Sequence, residues 1–308
     1  MRQPSNAPLD GSWEGPGRNP LAAAVAGLVL CGGVYSTLGG AVSSVIAALD
    51  VLRDPSWLAT GRLVDILVEY YRRFQVPILV VTTVAQFAVF FSLAVVLVRR
   101  WHSSRPFRYL AYRPPAAVDL VLAGAGAVAV VPLAEVLDRW SYVILPPLRE
   151  LAAGEASLLA VHSPWQAVLV FGAVAVTPAV CEEAMFRGWL LGTLRRRLAP
   201  VPAIIVQAVL FALFHMSPLS IVALAFVGLY LGWLFERTGT IYASMTAHGL
   251  YNATIIAVTN LQPRWLVSEP GRFTLPVIGG SLAAFAVVLV LVGLRARSGP
   301  ARGAEGTP

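Results

Sequence analysis

The chain has 308 residues, of which 57% are hydrophobic and 13% charged, and its formal net charge is +7. A soluble domain carries about 25% charged residues, so a water-soluble globular fold is excluded. The positive balance does not point to nucleic acid, because the arginines fall mostly in short loops between apolar runs, where they set membrane topology.

Residues 1–20 are polar and rich in proline and glycine and are expected to be a disordered tail. No cleavable signal peptide is expected, since the next apolar run is too long for an h-region. A bulky Leu30 before Cys31 is unlike a lipoprotein cleavage site. Eight apolar stretches follow: Leu21–Leu49, Val76–Val98, Ala117–Leu137, Trp165–Leu194, Val201–Met216, Leu219–Phe235, Ile241–Leu261 and Phe273–Leu294. Each is near the roughly 20 residues that cross the hydrocarbon. The expected fold is an all-α polytopic transmembrane bundle of about eight spans. Asp119 and Glu135, near the ends of the third span, read as side chains snorkelling to the interface. The loop from Asp138 to Ser163 is expected to lie along the membrane surface. Pro178 predicts a kink in the fourth span, and Met216-Ser217-Pro218 a tight turn between the fifth and sixth. Residues 298–308 are a second disordered tail. Cys31 and Cys181 lie in apolar runs and read as small buried hydrophobes. No internal repeat is evident, which weakens a transporter built from duplicated halves.

Arginines follow every even span: Arg99, Arg100, Arg105, Arg108 and Arg113, then Arg195 to Arg197, Arg237, and finally Arg295, Arg297 and Arg302. By the positive-inside rule both termini are cytoplasmic. Arg53, Arg62, Arg72 and Arg73 in the first opposite loop count against this orientation. All 23 basic residues are arginine, which points to a GC-rich genome; the expected location is the plasma or inner membrane of a bacterium.

Three patterns place charge where the bilayer disfavours it: Glu182-Glu183-x-x-x-Arg187, Phe211-x-x-x-His215 and His248-x-x-x-Asn252. An ionised side chain at that depth costs roughly 2.5–3.5 kcal/mol on insertion scales. Glu183 and Arg187 share a helix face and partly neutralise each other. Glu182 points about 100° away and lacks that partner, so it holds a proton more strongly, as suits a general base. Helix glue is the ordinary alternative for both glutamates, and a hydrogen-bonded structural imidazole is the ordinary alternative for His215 alone. His248 and Asn252 share a face and can aim donors at one point, as an oxyanion requires. By helical rise Glu182 lies about 20 Å from Arg195, His215 about 21 Å from Val201, and His248 and Asn252 about 14–20 Å from Gly239. Three helices thus bring these groups to one level. Gly188, Gly192, Gly228 and Gly232 would let the helices approach closely.

Over Trp165–Leu261 the three motifs together resemble the type II CAAX prenyl endopeptidases and the related bacterial CPBP intramembrane proteases, some implicated in bacteriocin immunity. The resemblance implies a helical chamber in which Glu182 and His215 activate a water while His248 and Asn252 form the oxyanion site. Glu183, Arg187 and Phe211 would be supporting residues. It implies a peptide or protein substrate, lipidated in the CAAX case, and hydrolysis of the glutamate type. No cofactor is assigned. Zinc is the alternative, with Glu182, His215 and His248 as its donors, although His-Glu-x-x-His is absent. The competing readings are a non-catalytic membrane scaffold or immunity factor of the same fold, and a transporter or proton channel. The expected organisation is spans 1–3 with their loops over residues 21–163, a catalytic core over 164–262 and a last span within 263–297. The expected partners are the lipid bilayer and the substrate.

Overall fold

The computed structural model describes residues 7–60, 63–144, 156–269 and 272–298. Its helices are α1 (Pro20–Arg53), α2 (Leu63–Arg73), α3 (Gln75–His102), α4 (Ala117–Ile144), α5 (Pro164–Leu194), α6 (Pro200–Phe214), α7 (Ile221–Thr238), α8 (Ile241–Leu261) and α9 (Leu275–Ser298). A short antiparallel ribbon, β1 (Val267–Glu269) with β2 (Arg272–Phe273), precedes α9. The molecule is an all-α multi-pass membrane bundle. Six helices are long and apolar enough to cross a membrane: α1, α3, α4, α5, α7 and α9. At 15 residues α6 is shorter, and α8 is diluted by Ser244, His248 and Asn252.

Helix boundaries follow local chemistry. Asn19 accepts from the Leu21 N–H at 3.0 Å and Pro20 opens α1, a cap followed by the one residue that has no N–H to lose. Ser163 with Pro164 repeats the device at α5. Gly239, at φ +67°, ends α7 in the left-handed conformation that glycine adopts freely. The expected kink at Pro178 takes the form of a π-helical turn, Phe171–Val176, just before it, and a second π segment spans Ala184–Leu191.

Three buried cores hold the bundle among the described residues, the smallest joining α3, α5 and α8 through Leu79, Val170 and Ile256. Of the two larger, one packs α1 and α3 around α5 through Cys31, Phe90, Met185, Phe186 and Trp189, and the other joins α4, α7, α8 and α9 through Val130, Leu231, Ala247 and Phe285. Cys31 and Cys181 are buried free thiols. Gly228 of α7 lies so close to α6 that an added Cβ would stand 3.0 Å from Ala208 Cα. That neighbour is backbone and cannot swing aside. Gly228→Val should therefore lower stability by about 1–3 kcal/mol, the range for overpacking, and a thermal melt that matches wild type would place the α6–α7 seam elsewhere.

Several expectations change. Helix α4 runs to Ile144, beyond Leu137, because Glu135 to Arg139 continues as a charged but helix-competent turn. The expected surface loop falls partly on residues 145–155, outside the described residues, as do the tail ends 1–6 and 299–308. Helix α2 was not expected at all. It pairs Arg72 with Glu69 at 2.8 Å, and Arg73 with Asp50 at 2.6 Å, so two of the four arginines that opposed the orientation are paired locally.

The N-terminal stretch, expected to be disordered, is ordered from residue 7. Its backbone bonds that of α3's end at Gly11 to His102 (3.1 Å), Ser12 to Arg100 (2.9 Å) and Trp13 to Trp101 (2.9 Å). Glu14 accepts from His102 Nδ1 at 2.7 Å and pairs with Arg196 beyond α5. The hydroxyl and the N–H of Ser104 both donate to Asp10 and hold its carboxyl below the ordinary 3.8. A depressed folded value means the link is complete above about 3.8 and fades as pH falls through the lower one. Hydrogen exchange in residues 8–18, corrected for intrinsic rates, should thus be flat from pH 7 to 5 and rise below about 3.8. Asp10→Asn should remove that rise, and a rise that persists in it would assign the effect to another carboxylate.

Candidate active site

Helix α5 carries the charged centre. Glu183 and Arg187 are fully buried and meet at 2.7 Å, Nη1 to Oε1, across the start of the π segment. The guanidinium carbon of Arg187 also lies 4.3 Å from the centroid of Phe211, whose face attracts a cation. His248 Nδ1 reaches the same Glu183 Oε1 at 2.8 Å. A carboxylate oxygen only accepts, so Nδ1 carries the proton. Glu183 thereby ties α5 to α8.

His215 forms the C-cap of α6, where Met216 at φ +50° and Pro218 end the helix in the expected turn. Its Nδ1 lies 2.8 Å from the Phe211 carbonyl, one of the acceptors a helix end leaves without an intrahelical donor. Nδ1 is again the protonated nitrogen, which leaves a lone pair on Nε2 of the neutral ring. The Phe211 ring packs edge-on to both imidazoles, at 4.7 Å from His215 and 5.9 Å from His248.

Both free Nε2 atoms face Glu182. Its Oε2 is 3.8 Å from His215 Nε2 and 4.0 Å from His248 Nε2, and no protein group donates to it. These gaps exceed a direct hydrogen bond and are of the size a single water bridges. The side chain of His215 is 30% exposed against 9% for Glu182 and 4% for His248, so the cluster opens to the outside past His215.

Asn252 is placed differently from the expectation that it would aim at one point with His248. Its Nδ2 donates to the Val174 carbonyl at 2.8 Å. Val174 lies in the π turn Phe171–Val176, and Pro178, four residues on, has no N–H to offer its carbonyl. Asn252 supplies a donor there and keeps one further N–H on the same amide. The signal was legible, since Pro178 and Val174 are four apart. The first spans also border the site. Tyr35 of α1 lies beside the Gln86 side chain of α3 and within electrostatic reach of Glu182. Two polar residues in otherwise apolar runs were the available sign.

Among the described residues no group of three His, Cys, Asp or Glu side chains is arranged to hold a metal ion.

The described helices form a multi-pass membrane bundle that buries the Glu182 carboxylate beside two imidazoles. The family described as type II CAAX prenyl endopeptidase Rce1-like matches residues 164–254, from the start of α5 well into α8. Over those residues the chain is similar to the CAAX-type intramembrane proteases. No curated protein and no solved structure matches the chain.

Proposed function

We propose that the chain is a glutamate-type intramembrane endopeptidase of a bacterial plasma membrane. It would act on membrane-associated peptides or proteins, with residues 164–262 as the catalytic region and both termini cytoplasmic. The observation that carries this reading is the unpartnered Glu182 Oε2 facing two imidazole nitrogens across water-sized gaps.

The two histidines differ in what holds Nδ1, and that difference sets their roles. His215 donates to a neutral carbonyl, so its Nε2 is a base that can share a water proton with Glu182. The water oxygen then adds to the scissile carbonyl carbon, and the collected proton passes to the leaving amine as the C–N bond breaks. His248 donates to a carboxylate, which is the counter-charge an imidazolium needs. As the imidazolium, its Nε2–H can donate to the developing oxyanion, beside the remaining Asn252 N–H. Glu183 and Arg187 hold His248 in this orientation. The CAAX-type family connects the substrate to C-terminal processing of lipidated proteins, and the exposed edge at His215 gives an extended peptide a way in.

The test is product analysis by mass spectrometry with the full chain in nanodiscs. Prenylated and unprenylated C-terminal peptides are offered beside a general peptide library. Cleavage by wild type that His215→Ala abolishes supports the reading. Products equal in the two, or none with a wild-type protein that melts cooperatively, would leave a scaffold of the same fold. Asn252→Ala should lower kcat by roughly 10²–10³-fold, as removal of one oxyanion donor does, and keep the wild-type pH profile. Adding Pro178→Ala restores an N–H for Val174. If that second change rescues kcat, Asn252 serves only as a carbonyl cap and the oxyanion assignment is wrong.

A further inference from the structure

The end of α4, the ribbon and the first turn of α9 enclose an open cavity of about 720 Å³. That is within the roughly 300–1,000 Å³ of small-molecule sites. Its polar groups are Glu135, Arg139 and Arg272, and its apolar wall includes Phe273, Leu275 and Ile278. None of the Glu182 cluster lines it, and it lies at the opposite end of α4 and α9 from the Asp119–Arg295 pair, which bonds at 3.2 Å.

Glu135 does not snorkel. Both its carboxylate oxygens are buried, and no protein group donates to either. Arg139 Nη1 stands 3.6 Å from Oε1, and Arg272 acts on the same carboxylate electrostatically. The nearer guanidinium attracts the carboxylate without hydrogen-bonding it. A buried acceptor in that state calls for a donor, while guanidinium groups are suited to phosphate. The ligand chemistry is therefore an ammonium beside a phosphodiester.

The location identifies the source. Trp140 is 66% exposed and Trp265 is 77% exposed, one at the end of α4 and one just before the ribbon. Exposed tryptophan in a membrane protein marks the headgroup level of the bilayer. Below it, Leu275 and Leu282 of α9 present an apolar surface on which acyl chains can lie. We propose that this cavity binds the headgroup of an amine-bearing glycerophospholipid, its ammonium donating to Glu135 and its phosphodiester held by Arg139 and Arg272. The site is independent of the proteolytic reading.

Native mass spectrometry of the full chain tests this, with phosphatidylethanolamine, phosphatidylcholine and phosphatidylglycerol of identical chains offered at equal concentration. A choline headgroup has no N–H and a glycerol headgroup has only neutral O–H donors, so neither can make the charge-assisted contact with Glu135. Wild type should retain phosphatidylethanolamine roughly tenfold over the other two, as expected for one charge-assisted hydrogen bond. Glu135→Gln should abolish that preference while keeping the lipid-free melting temperature. The paired Arg139→Gln and Arg272→Gln changes should lower retention of all three lipids. Equal retention by wild type, or a preference that survives Glu135→Gln, would overturn the site. A preference for phosphatidylglycerol would overturn the role of Glu135. Stabilisation by soluble phosphoethanolamine equal to that by the whole lipid would overturn the assignment to a lipid.

Discussion

Glu182→Gln should abolish proteolysis while the protein folds, inserts and melts as wild type does. Glutamine keeps the shape and one acceptor but cannot take a proton from water. Glu182 makes no hydrogen bond to another protein group through Oε2, so the change breaks no structural contact there. General-base assistance contributes about 10²–10⁴-fold, and here the carboxylate also orients the water, so turnover should fall at least to the top of that range. The same purified protein should still bind substrate, read as an unchanged KM if residual activity is measurable, or by peptide cross-linking if it is not. Turnover near wild type would remove Glu182 from the chemistry and leave the His215–His248 pair without its acceptor.

Arg187→Ala should act on stability ahead of chemistry. Glu183 and Arg187 have no exposed side-chain surface, and Glu183 would keep only His248 and α8 around its charge. Removing one member of a buried pair typically costs about 3–5 kcal/mol because the other charge stays behind. The loss of the guanidinium over Phe211 adds a packing defect beside both imidazoles. A large drop in melting temperature or in folded yield is the expected result. Double replacement with Glu183→Gln should recover part of that loss without recovering activity, because His248 then has no counter-charge. A well-folded but inactive Arg187→Ala protein would instead place Arg187 in contact with the reacting atoms.

The parts of this site that were legible in the sequence share one property: they are set by spacing along a single helix. Glu183 with Arg187, and Phe211 with His215, follow from four-residue periodicity, and the apolar runs locate every helix long enough to cross. What spacing could not give is which atoms meet between helices. His248 turns Nδ1 to Glu183 and Nε2 to Glu182 because α8 crosses α5 at that height, a fact of packing. The π segments are invisible to an apolar pattern, since one extra residue per turn leaves composition unchanged. Helix α2 was missed because its acids and arginines dilute it below any membrane signal. The order of residues 7–19 was missed because its partners lie some 90 residues away, in Arg100 to Ser104.

That N-terminal strap has a topological consequence. It binds the end of α3 and, through Arg196, the segment after α5, while Thr240 donates to the Arg113 carbonyl at 2.7 Å. The exits of α3, α5 and α7 therefore lie on one face, and the parity of crossings between them is even. If α7 crosses, α6 must carry the chain the other way, though its 15 residues reach only about 22 Å against a hydrocarbon thickness of roughly 30 Å. A helix that short is accommodated by thinning the bilayer around it. His215 sits at the end of this shortest crossing, so the membrane would be thinnest, and water nearest, beside the imidazole proposed to use it.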